Sequence, residues 1–315
     1  MLVTRALLLT TTMLILALVA PAALANNSTG EHCPPKPKNP SEAELMELLK
    51  DAKDRGALFE LNKAGRVGYL YGTVHISRME WAFPGPTVVK ALVASEVIAL
   101  ELNISDPNVE KQLAAKIGKP SNGIKLPAQL VTRIEKQAKR LCAPLASLRD
   151  KNISSQLRVL RMLDGRLEGM DPEWGVEAVL IGFANQQKKA IISLETIETH
   201  ARALNNRKLS GEVGIERVRR SLVALETGKA RQSMVKVLDA WEAGDLEGVR
   251  DSCKHCSAAM LQSSDDRNVG MASEIDKLLD RGKPIFAAVG FFHLTGPKAI
   301  QDLLRKKGYT VKRVF

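Results

Sequence analysis

The sequence predicts an α/β (α+β) fold, with a central mixed β-sheet flanked by helices and a largely helical section in the middle of the chain. Three observations carry that prediction. Short apolar, β-prone runs stand at 67–74, 97–102, 190–195 and 285–293, with long amphipathic stretches between them. Segment 106–170 keeps helical spacing throughout, as in Leu157, Leu160 and Leu163, and carries no chemical motif. Finally, 315 residues at 45% hydrophobic content can bury a substantial core, as one large domain or two intimate ones.

Residues 1–25 stand outside that core. Arg5 supplies a positive start, 6–19 an apolar run, and Ala23-Leu24-Ala25 a small-residue cleavage site, the pattern of a signal peptide. The run approaches the length of a membrane anchor, but Pro21 and the small residues favour cleavage and an exported protein, periplasmic or secreted. Residues 26–40 form a polar, Pro-rich linker, and 41–315 the folded domain. Ser41 with Glu44 is a capping-box start to a helix with Leu45, Leu48 and Leu49 on one face. The runs at 58–61 and 69–71 flank a turn and predict a hairpin. A loop at 76–86 carries Met79, Trp81 and Phe83, either as a roof to a groove or as core packing. A short helix at 87–95 leads to the strand at 97–102, with Glu101 in its middle on the face of Val97 and Ala99.

After the helical section 106–170, Asp171 opens a helix on which Glu177 serves helix-start electrostatics or the site. The strand at 190–195 ends at Glu195. His200 falls on the following helix, 196–204, where an exposed or hydrogen-bonded imidazole is the simpler reading. Amphipathic helices fill 211–262. Asp265-Asp266-Arg267-Asn268 heads a helix over 269–279, with Arg267 either a cation at the site or paired to Asp265 or Asp266. Gly282-Lys283-Pro284 turns into a strand ending at His293, and a helix at 298–307 and a strand at 309–315 close the chain. Strand and helix alternate in both halves, compatible with an imperfect internal duplication.

The net charge of +11 becomes +10 once Arg5 is removed. Its cations are scattered among carboxylates, as in Arg133-Ile134-Glu135-Lys136, and only 4% of residues are aromatic. No nucleic-acid platform is visible, so nucleic acid is excluded as a partner; peripheral contact with an anionic membrane surface remains compatible with the charge. Cys33, Cys142, Cys253 and Cys256 make an even count that favours disulfides in an oxidising compartment. Cys253 and Cys256 form a C-x-x-C in a helical region, without the second Cys/His pair of a zinc site. They predict a local disulfide or half of a bridge to Cys33 or Cys142.

Two devices recur. Gly72-Thr73-Val74-His75 and Gly290-Phe291-Phe292-His293 each follow an apolar run with Gly-x-x-His; Glu101 and Glu195 each follow one with a carboxylate. A lone buried carboxylate costs several kcal/mol, so a shared site is the economical explanation. Imidazole and carboxylate suit a divalent transition metal, Zn, Mn, Co or Fe. His75, His293, Glu101 and Glu195 are the candidate ligands. Glu101 or Glu195 would be the general base, and Arg267 would stabilise an oxyanion. There is no H-E-x-x-H, no G-x-S-x-G and no phosphate-binding loop. The residues alone reach metal-assisted hydrolysis.

Leu70 to His75, Ala99-Leu100-Glu101-Leu102, Ser193-Leu194-Glu195-Thr196, Asp266-Arg267-Asn268, the second Gly-x-x-His and Gly308-Tyr309-Thr310-Val311, in this order, resemble the TraB/PrgY/GumN family, which includes the Tiki-type metalloproteases. The resemblance runs from about Ala57 to the C-terminus. It implies peptide-bond hydrolysis on a peptide or protein substrate, with the helical section beside the catalytic core. It also leaves a second reading: a non-catalytic protein that sequesters a peptide, metal or haem, with Tyr69, Tyr71, Phe291 and Phe292 as walls of a haem slot.

Overall fold

The computed structural model describes residues 33–117, 124–205, 211–254, 256 and 258–315. The expected signal peptide at 1–25 and the linker up to residue 32 lie outside the described residues. The sheet has six strands: β1 (Leu58–Lys63), β2 (Arg66–Thr73), β3 (Val97–Leu100), β4 (Ala190–Ser193), β5 (Ile285–Gly290) and β6 (Thr310–Arg313). Their spatial order is β4-β3-β5-β2-β1-β6. β4, β3, β5 and β2 run parallel, while β1 is antiparallel to both β2 and β6. The predicted hairpin is β1–β2, closed by Ala64 (φ 52°) and Gly65 (φ 78°). Positive φ at both turn positions is what a two-residue turn matched to strand twist requires. The runs around β3 and β5 are apolar without alternation because helices cover both faces, and every residue of these two strands is buried.

The helices are α1 (Glu42–Lys50), α2 (Met79–Ala82), α3 (Pro86–Ala94), α4 (Pro107–Lys116), α5 (Ala128–Arg140), α6 (Leu145–Arg149), α7 (Ile153–Gly165), α8 (Val176–Gln186), α9 (Ile197–Asn205), α10 (Gly211–Glu226), α11 (Lys229–Glu242), α12 (Leu246–Asp251), α13 (Ala258–Asp280) and α14 (Ile300–Lys306). The capping box at the start of α1 is present. The main core joins the sheet to α3, α8, α11 and α13 through residues such as Tyr71, Leu92, Leu180, Trp241, Met271 and Phe286. Trp241 is fully buried, and its indole N–H donates to Gly72 O at 2.9 Å. A second core holds Leu130, Ile134, Leu160, Val218, Leu222 and Leu225 together. The helical section therefore packs around α10 as well, a helix that lies beyond residue 170.

Several expected boundaries shift. The strand carrying Glu101 ends at Leu100, so Glu101 is not in its middle; one position later its carboxylate reaches donors that a strand interior lacks. The strand before His293 ends at Gly290, and His293 sits in a short 3-10 turn, Phe291–Leu294. Asp265 to Asn268 do not head a helix but lie inside α13, which starts at Ala258 without a break. The 76–86 loop contains α2. Phe83 is buried and Trp81 packs against the main core, so core packing is what these aromatics do. The haem-slot walls are also spent elsewhere: Tyr71 and Phe291 are core residues, and Arg250 covers the Phe292 ring.

The disulfides are Cys33–Cys142 and Cys253–Cys256. The C-x-x-C is thus the local bridge, and Cys33 ties the start of the described chain to the helical section. Among the described residues, no helix is long and apolar enough to cross a membrane.

Candidate functional site

Because β4, β3, β5 and β2 are parallel neighbours, their carboxyl ends open on one edge of the sheet, the edge where open α/β sheets bind ligands. Each delivers one of the predicted residues within three positions of its end: Glu195 after β4, Glu101 after β3, His293 after β5 and His75 after β2. Backbone hydrogen bonds continue past the strands, from Leu194 N to Leu100 O (2.8 Å) and from Glu195 N to Glu101 O (3.0 Å). This lays the two glutamates side by side.

Two adjacent buried carboxylates repel unless a cation stands between them. Arg267 is that cation. Its Nη2 donates to Glu101 Oε2 at 2.6 Å and its Nε to Glu195 Oε1 at 2.8 Å. The pairing with Asp265 or Asp266 gives way to this one because Arg267 lies mid-helix, facing the sheet. The fork takes one oxygen of each glutamate. Glu101 Oε1 then accepts the Gly290 N–H at 2.6 Å, while buried Glu195 Oε2 has no hydrogen-bond partner. Burial by itself would raise the Glu101 carboxyl; His293, His75, Arg267 and the Gly290 N–H outweigh it and hold the group below the usual carboxylate range. For Arg267 burial works against the charge, and the two glutamates more than restore it.

Both histidines present Nε2 to this cluster because their Nδ1 atoms are tied. Asn268 is fully buried; its Nδ2 donates to His293 O (3.1 Å) and Lys298 O (2.8 Å), which leaves its Oδ1 to accept from His293 Nδ1 at 2.5 Å. Burial lowers the His293 pKa against the opposing charge of Glu101, and its Nε2 faces Glu101 Oε1 at 3.5 Å. Donors of one tetrahedral ion at about 2.0–2.1 Å stand about 3.3–3.4 Å apart, close to this spacing. His75 Nδ1 lies 3.0 Å from Glu177 Oε1, which also accepts from the Thr73 hydroxyl. The Glu177 charge raises the His75 imidazole above its ordinary value. A carboxylate or amide on the far nitrogen is the arrangement that orients metal-ligating histidines. Gly290 marks where the groups converge: a Cβ there would meet Glu101 Oε1 at 3.0 Å, His75 Nε2 at 3.5 Å and His293 Cδ2 at 3.7 Å. Imidazole and carboxylate donors suit a divalent transition metal; His293 and Glu101 stand at the spacing of two ligands, with His75 and Glu195 near them.

His200 joins the cluster from α9. Its Nδ1 faces Glu195 Oε2 at 3.4 Å, and donor atoms of Glu101, Glu195 and His200 all lie within 4.8 Å of one another. It is therefore not an exposed helical histidine. Glu177, open in the sequence between helix-start electrostatics and the site, stands at the site, and Asn268 had been given no role. Glu177 stands in the first turn of α8 and Asn268 next to Arg267, so their signal is adjacency to residues already suspected.

A family model described as the TraB/PrgY/gumN family matches residues 57–313. The chain matches no curated protein and no solved structure.

Proposed function

The chain belongs to the TraB/PrgY/gumN family, and from that membership and the site geometry we propose that it is an exported, metal-dependent hydrolase acting on peptides. The observation that carries the proposal is His293 Nε2 set 3.5 Å from Glu101 Oε1, with His75 Nε2 also turned toward Gly290. When bound there, a Zn, Mn, Co or Fe ion supplies activation of a water and polarisation of the scissile carbonyl. His75 and His293 orient through Glu177 and Asn268. Glu195 Oε2, the glutamate oxygen left without a partner, accepts the water's proton. Arg267 keeps the carboxylates together and places a positive charge beside the developing oxyanion. Two disulfides among the described residues support an oxidising destination, periplasmic or extracellular.

A second reading, retention of a peptide or metal without turnover, is favoured by one observation. Arg267 bonds both carboxylates, and that contact weakens each as a base.

Metal content tests the proposal. Wild type should carry about one tightly held transition metal per chain, lost in His75→Ala and His293→Ala at unchanged folding. No metal after reconstitution with Zn²⁺, Mn²⁺ and Co²⁺ would sink it. Peptide cleavage abolished by a chelator selects the hydrolase, and metal uptake without cleavage selects the binding protein.

A further inference from the structure

The β4 side of the cluster holds donors that the proposed ion does not use. Glu195 is 2% exposed at its side chain, and its Oε2 has no hydrogen-bond partner. His200 Nδ1 is buried and likewise unpartnered, and the two atoms face each other at 3.4 Å without the alignment of a hydrogen bond. An unbonded buried carboxylate oxygen costs roughly 1–3 kcal/mol or more. The two atoms face each other within ion-pair distance but outside hydrogen-bond geometry, a spacing that a cation between them would also satisfy. Their separation again matches the edge of a tetrahedral ion's donor shell, about 3.3–3.4 Å.

We propose that Glu195 Oε2, His200 Nδ1 and a Glu101 oxygen form a second divalent-cation position, adjacent to the one flanked by His75 and His293 and sharing Glu101 with it. Three protein donors with a position open to water are sufficient for such a site, and imidazole with carboxylate selects a transition metal over calcium or magnesium. Charge sets the order of filling. Glu101, Glu195 and Glu177 against Arg267 leave two negative charges, which one divalent ion neutralises. A second ion enters a neutral site beside the Arg267 guanidinium and binds more weakly. Its occupancy takes Glu195 Oε2 out of proton transfer, so excess metal suppresses turnover. The inference rests on the reading of the first position under the proposed function.

Equilibrium dialysis of the full mature chain against Co²⁺ alone, with absorption spectra, tests it. Expected are two ions per wild-type chain, tight and weak, and loss of the weak one by about tenfold or more in affinity in His200→Ala and His200→Gln. The tight one should persist in both variants and disappear in His293→Ala. His200→Gln keeps size and polarity, and thermal melts of all variants separate misfolding from ligand loss. One ion in wild type, unchanged by either His200 substitution, overturns the second position and leaves the first standing. One ion in wild type that both His200 substitutions remove also overturns it, by placing the single ion at His200. No ion in wild type overturns the metal reading itself, and this inference with it.

Discussion

Gly290 and Gly72 each precede a histidine by three positions; an added methyl group would be tight against side-chain ends at Gly290 and would clash at Gly72. At Gly290 the backbone (φ −53°, ψ 135°) suits any residue, and the added carbon would meet Glu101, His75 and His293. Gly290→Ala is therefore expected to lose metal while its melting temperature stays close to wild type, checked by metal analysis beside calorimetry. At Gly72 the carbon would strike the Phe291 ring and stand 2.7 Å from Leu294 Cδ1. Gly72→Ala should then cost about 1–3 kcal/mol of stability by overpacking, read by urea denaturation. Arg267→Leu removes the charge between two buried carboxylates, and breaking such a pair costs about 3–5 kcal/mol. It should unfold at lower denaturant than His75→Ala, whose ring is largely exposed.

At the scale of elements, α13 carries the site on one turn and a structural network two turns further on. Asp276 accepts from Lys63 (3.3 Å), Lys307 (3.0 Å) and the Tyr309 hydroxyl (2.9 Å), joining α13 to β1 and to the end of α14. Burial would raise its carboxyl, but these three donors outweigh it and hold the group below its ordinary value of 3.8. The folded pKa is depressed, so the stabilisation is complete above the ordinary value and is lost as pH falls through the folded one. Wild type should lose stability below about pH 4, and Asp276→Asn should be weaker at pH 6 with a flatter acid limb, measured by urea titration at several pH values. The strands, the first Gly-x-x-His and the two glutamates were legible in the sequence because period and motif are local. The run from Asp265 to Asn268 was misread as a helix start because acidic residues and asparagine favour such starts; here the angular position of Arg267 and Asn268 inside α13 points them at the site. His200 and Glu177 were undervalued for a related reason. A helix face has no meaning until its partner is known, and their partners, Glu195 and His75, belong to other elements.

For the whole molecule, Cys33–Cys142 spans 109 positions and Cys253–Cys256 only 3. Loop-closure entropy gives the long bridge about 5 kcal/mol and the short one about 2 kcal/mol as upper figures. Cys33→Ala with Cys142→Ala should lower stability more than Cys253→Ala with Cys256→Ala, and reductant should reproduce the sum. The second core was not legible because α5 and α7 pack on α10 across a sequence gap filled by α8, β4 and α9. The sheet order has a further consequence, for the timing of assembly. β5 lies between β2 and β3, which do not touch each other. A chain emerging from its N-terminus holds β1–β2 and β3–β4 as two unjoined ribbons until residues 285–290 arrive, late in synthesis. Closure over such sequence distances is slow. The residues gathered at the strand ends, with Arg267 and His293 among them, are therefore brought together last.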